Sequence, residues 1–70
     1  SLAMLRAVLA GEAGPAADIV TLNAGAAIYV SGKADSLTNG VEAARQAISS
    51  GRALETLERL VALSAEMADQ

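Results

Sequence analysis

The stretch from Asp18 to Val30, DIVTLNAGAAIYV, reads as a helix with no side suited to water. A helix at a protein surface keeps one polar face, and one that is apolar all round needs cover on every side. Spaced at about 100° per residue, Ile19, Leu22, Ala26, Tyr29 and Val30 fill one half of the wheel. Val20, Thr21, Ala24, Gly25, Ala27 and Ile28 fill the other. The polar members Asp18, Thr21 and Asn23 do not gather into a face. Such a helix belongs in the middle of something larger than 70 residues.

Composition sharpens that expectation. A chain this short is marginal without disulfides, metal or partners, and it contains no cysteine and no histidine. Its hydrophobic content of 53% is rich in alanine, and Tyr29 is its single aromatic residue. Alanine buries little area, so the core it can build alone is poor. The lack of cysteine agrees with a cytoplasmic location. A net charge of -3 and a pI near 4.6 argue against nucleic acid as a partner, because phosphate binding needs a basic surface. Asp18 and Asn23 interrupt the apolar run, which falls short of the ~18 residues of a membrane span. No basic segment precedes it, so a signal peptide is not expected.

Punctuation and periodicity place about four helices, an all-α reading of the chain by itself. The first runs from about Leu2 to Ala10, with Leu2, Leu5 and Leu9 on one stripe and Gly11 as a left-handed cap. Ser1 and Leu2 read as a cloning remnant. The second runs from about Pro15, a proline tolerated in a first turn, to Val30 or Ser31, and stops at Gly32. Ala17, Thr21 and Gly25 recur along it every four residues, a stripe small enough for another backbone to approach. Asp35 and Ser36 compete to cap the third helix, whose Leu37, Val41, Ala44 and Ile48 share one face. Gly40 sits inside it at a cost of about 1 kcal/mol relative to alanine, which close packing beside Ala44 and Ala47 would offset. Gly51 closes it. The fourth, about Arg52 to Met67, is expected to bury Leu54, Leu57, Leu60, Val61 and Met67, with Glu55 and Arg59 forming an i,i+4 pair.

Few residues carry chemistry. Without His or Cys, a metal would need converging carboxylates, and Glu12, Asp18, Asp35 and Glu42 fall in separate elements. Ser31, Ser36, Ser49, Ser50 and Tyr29 lack a histidine base, and Lys33 reads as an exposed charge beside a helix C-terminus. Gly11 to Pro15 enters a helix, but Pro15 removes an amide donor and Glu12 adds the wrong charge for a phosphate. Asn23 reads as a core amide tied to a neighbouring backbone, since an unpaired buried polar group costs ~1–3 kcal/mol. Tyr29 reads as a packing residue whose hydroxyl reaches a partner or water. Arg52, at a helix start, is expected to pair with a carboxylate.

LRAVLAGE at Leu5–Glu12, DIV at Asp18–Val20, LNAGAAIYV at Leu22–Val30 and GKA at Gly32–Ala34 resemble the C-terminal end of anthranilate phosphoribosyltransferases. The likeness continues through Ser36-Leu37, Gly40-Val41, Ala43-Ala44, Ala47-Ile48, Ser50–Leu54, Leu57, Leu60 and Val61. A related nucleoside phosphorylase of similar fold accounts for this run less well. The resemblance implies a homodimeric parent with a small helical domain and a larger α/β domain. That enzyme transfers the phosphoribosyl group of 5-phosphoribosyl-1-pyrophosphate to anthranilate, with magnesium, in tryptophan biosynthesis. Residues 1–70 would be a helical segment of its α/β domain, with the rest of the parent chain as partner. No position here matches the family's glycine-rich pyrophosphate loop, its Lys-His-Gly stretch or its acidic metal-binding pair. No catalytic, cofactor-binding or metal-binding residue is therefore assigned to this chain, which is expected to be inactive alone. The competing reading is a stand-alone helical module that self-associates through Ala17, Thr21 and Gly25.

Overall fold

Cap chemistry divides the chain into the four helices of a computed structural model that describes residues 1–69. They are α1 (Leu2–Leu9), α2 (Pro15–Val30), α3 (Leu37–Ser49) and α4 (Arg52–Ala68), with no strand among the described residues. Ser1 caps α1, its hydroxyl accepting from the Met4 N–H at 3.2 Å. Helix α1 ends where Gly11 turns left-handed (φ 109°). There the N–H groups of Gly11 and Glu12 donate to the carbonyls of Val8 and Ala7, closing orphan acceptors of the last turn. The end of α2 repeats this device, with Gly32 and Lys33 donating to Tyr29 and Ile28. Pro15 stands at the start of α2 as expected. Ser36, not Asp35, caps α3, its Oγ accepting from the Asn39 N–H at 3.0 Å.

The principal interface is α2 against α3; α3–α4, α1–α2 and α1–α4 are slighter. Gly25 and Gly40 are both buried at the α2–α3 crossing. A β-carbon on Gly25 would stand 2.5 Å from Val41 Cα and 2.7 Å from its backbone nitrogen. One on Gly40 would run into the Gly25 carbonyl oxygen. The small stripe of α2 and the internal glycine of α3 are thus two halves of one contact, and Gly40 packs against α2. Thr21 lies on the same side, its hydroxyl donating to the Ala17 carbonyl at 2.7 Å.

The remaining core is small. Val8, Leu9 and Ala44 are its buried hydrophobic residues, and α4 contributes none. Leu54, Leu57 and Val61 of α4 are half-buried, whereas Leu60 and Met67, expected inside, are exposed. The reason is geometric. The apolar arc of α4 is wider than the strip that α1 and α3 can cover. A compact chain of 7.0 kDa exposes about 4,000 Å²; this one exposes 5024 Å². Its radius of gyration is 13.1 Å, against about 11 Å for a compact domain of this length. The deficit is one of cover, not of helix formation.

The charged residues pair otherwise than anticipated. Arg6 Nε meets Glu58 Oε1 at 2.8 Å, joining α1 to α4. Arg45 lies 3.8 Å from Glu42 within α3. Glu55 and Arg59 form no ion pair among the described residues. Arg52 Nε donates to Ser50 Oγ at 3.3 Å rather than to a carboxylate.

Candidate functional site

The two halves of helix α2 meet opposite fates. Ala17, Val20, Thr21, Ala24, Gly25 and Ile28 lie buried or half-buried on the side turned to the bundle. Ile19, Leu22, Tyr29 and Val30 are exposed, Val30 to 83% and Ile19 to 62%. These four fall within about 100° of arc at helical spacing, with Ala26 between them. The helix is therefore half clothed. Burial gains roughly 25 cal/mol per Å² of apolar surface, and the outer half of α2 forgoes that gain here.

Asn23 sits on this open side and is exposed, with no hydrogen bond among the described residues. The expectation of a core amide assumed enclosure that this chain does not provide. Tyr29 is also partly exposed, although its β-carbon lies against the Gly40 position. Its hydroxyl likewise finds no protein partner among the described residues.

One cleft adjoins the open side, between the first half of α2 and the middle of α3. It measures about 180 Å³ and is lined by Asp18, Thr21, Leu22, Val41 and Arg45. Small-molecule sites enclose roughly 300–1,000 Å³, so this notch is too small and open to hold a substrate by itself. Asp18 and Arg45 bring opposite charges to its walls. Nothing in the sequence suggested that meeting, because it depends on how α2 and α3 cross.

The serine hydroxyls are occupied locally. Those of Ser31, Ser49 and Ser50 donate to the carbonyls of Ile28, Gln46 and Ala47 at 2.8–3.3 Å, and that of Ser36 caps α3. Lys33 is exposed beyond the α2 C-terminus. No three acidic side chains converge among the described residues. No helix among the described residues is long and apolar enough to cross a membrane.

Residues 1–54 match the family model described as "Glycosyl transferase family, a/b domain". The chain belongs to that family. Ser1 and Leu2 fall within the matched region. An anthranilate phosphoribosyltransferase from Thioalkalivibrio sulfidiphilus is 58% identical over 65 residues, covering 93% of this chain and 19% of that protein. One from Acidovorax sp. strain JS42 is 54% identical over 68 residues, covering 97% of this chain and 20% of that protein. One from Nitrosomonas europaea is 58% identical over 62 residues, covering 89% and 18%. No solved structure matches the chain. It is homologous to anthranilate phosphoribosyltransferases over most of its length, and it spans about a fifth of the length of these relatives.

The family's domain is described as a/b. Domains of that class lay helices on the faces of a sheet, and this chain holds the helices without a strand among its described residues.

Proposed function

We propose that residues 1–70 form a C-terminal helical segment of the α/β domain of an anthranilate phosphoribosyltransferase. The complete protein would transfer the phosphoribosyl group of 5-phosphoribosyl-1-pyrophosphate to anthranilate, using magnesium held elsewhere, as a cytoplasmic homodimer of tryptophan biosynthesis. The segment's own part is structural. Its α2–α3 pair presents the outer half of α2 to the rest of the domain, the layer that would supply a sheet. The observation that carries this reading is the row Ile19, Leu22, Tyr29 and Val30, open on a helix whose other half is packed. The names of the relatives supply anthranilate and the phosphoribosyl group; the pyrophosphate donor rests on the resemblance.

The test is complementation in pieces. The Thioalkalivibrio relative, truncated of the 65 residues that this chain matches, is mixed with the 70-residue chain. Consumption of anthranilate is then followed by its fluorescence. Activity is expected only when both pieces are present, and a Leu22→Lys chain is expected not to restore it. No restoration under conditions where the two pieces bind each other would overturn the proposal.

The stand-alone module that self-associates through Ala17, Thr21 and Gly25 loses its interface. Gly25 is already in contact with Val41 and Gly40 of the same chain, so that stripe is not available to a second copy.

A further inference from the structure

We propose that Asn39–Gly40, in the first turn of α3, is a site of spontaneous covalent modification held in check by the Ser36 cap and the glycine crossing. The chemistry is intramolecular and consumes only water, so it does not rest on the enzyme reading. An asparagine loses its side-chain nitrogen as ammonia when the next backbone nitrogen attacks its Cγ. Glycine in that next place, with no β-carbon and a freer backbone, hinders the attack least. Asn39 is exposed, and its side-chain amide makes no hydrogen bond among the described residues. Gly40 beside it is buried, and a β-carbon there would meet the Gly25 carbonyl oxygen. The packing of α2 on α3 thus imposes the labile half of the pair. The chain's other asparagine, Asn23, is followed by Ala24.

Two hydrogen bonds oppose the attack, and both end on Ser36. The Gly40 N–H donates to the Ser36 carbonyl at 2.9 Å, which ties up the proton that the attacking nitrogen must shed. The Asn39 N–H donates to Ser36 Oγ at 3.0 Å, which holds the backbone at Asn39 helical. A helical ψ keeps Cγ and the next nitrogen from the approach that ring closure needs, so the first turn of α3 must open first. When it opens, the Gly40 nitrogen bonds to Asn39 Cγ, the bond from Cγ to the side-chain nitrogen breaks, and ammonia leaves with the proton given up by Gly40. Water then opens the cyclic imide at either carbonyl. Attack at Cγ leaves an ordinary aspartate, whose carboxylate in the first turn suits the helix dipole. Attack at the main-chain carbonyl leaves isoaspartate, whose backbone runs through the β-carbon and is longer by one atom. That atom falls between the Ser36 cap and the Gly40 contact, so α3 cannot close against Gly25 in register.

The test incubates the chain at mildly alkaline pH, folded and in guanidinium chloride, and follows the tryptic peptide of residues 34–45 by mass and retention. Conversion of Asn39 is expected to be at least about tenfold slower in the folded chain, because a packed first turn opens rarely. Ser36→Ala is expected to speed the folded chain about fivefold, the factor equivalent to the ~1 kcal/mol of a lost cap, and to leave the denatured rate unchanged. Asn23 is expected to stay unmodified in both. The isoaspartyl chain, separated from the parent, is expected to melt lower, whereas Asn39→Asp melts no lower than the parent. Circular dichroism checks that each chain is folded before its rate is compared. Equal rates in the folded and denatured chain overturn the proposal, as does a Ser36→Ala chain that converts no faster. Conversion of Asn23 as fast as that of Asn39, or an isoaspartyl chain that melts with the parent, also overturns it, because Gly40 would then play no part.

Discussion

Replacing Gly25 with alanine pits two physical effects of opposite sign against each other. Helix propensity alone favours the change by about 1 kcal/mol, because glycine orders at a greater entropic cost. The crossing opposes it. The new methyl would stand 2.5 Å from Val41 Cα and 2.7 Å from its amide nitrogen, against ~3.5–4.0 Å for a relaxed carbon contact. Val41 Cγ2, at 2.6 Å, could turn aside, but the Cα and nitrogen are backbone that no rotamer moves, so α3 must retreat by about an ångström along its principal interface. Overpacking of this kind costs ~1–3 kcal/mol, and rigid obstacles put this site at the upper end. The net expectation is a loss of about 2 kcal/mol, or roughly 8–16 °C in Tm for a domain of this size. Gly25→Leu should lose more. Thermal and urea unfolding followed at 222 nm, at two or more concentrations, measures it. Asn23→Ala, exposed on the same helix, serves as the propensity control and should be neutral or slightly stabilising. A Gly25→Ala chain as stable as the parent would refute the backbone crossing. Gly40→Ala should behave alike, and the double variant should cost less than the sum, since the first methyl already opens the gap the second needs.

Ser36→Ala should cost about 1 kcal/mol by removing the α3 cap, while Asp35→Ala leaves the same melting curve nearly unmoved. Glu58→Gln breaks the Arg6 pair, but both side chains are about half exposed. The loss should therefore stay under ~0.5 kcal/mol and vanish in about 1 M salt, as paired denaturation curves at low and high salt would reveal. Ile19→Lys should lower binding of an apolar dye to the 70-residue chain without shifting its melting temperature. The same change in a full-length relative should destabilise it by several kcal/mol, because there the charge would be buried without a partner.

The helices and their ends were legible because their signals are local. Gly11, Gly32 and Gly51 mark three C-termini, and Pro15 marks a start. Asp35 and Ser36 could not be ranked, since either side chain can cap and only the entry angle of the chain decides. The outer half of α2 was indistinguishable by hydropathy from the inner half. What separates them is size: the Ala17, Thr21 and Gly25 side fits Gly40, and the bulky side is left over. Asn23 is exposed because the cover expected around the whole of α2 is not supplied by this chain. Leu60 and Met67 were misplaced because hydropathy reports which residues prefer burial, not whether a neighbour exists to bury them. The Arg6–Glu58 pair and the Asp18–Arg45 cleft join residues far apart in sequence, and no local pattern encodes them.

The glycine crossing also bears on the order in which such a protein assembles. Helices α2 and α3 are consecutive, and a short turn brings Gly25 onto Gly40, so the entropy of closing that loop is small. Contacts so near in sequence form early. A hairpin of this kind can dock early, leaving its greasy outer side vulnerable to aggregation until something covers it.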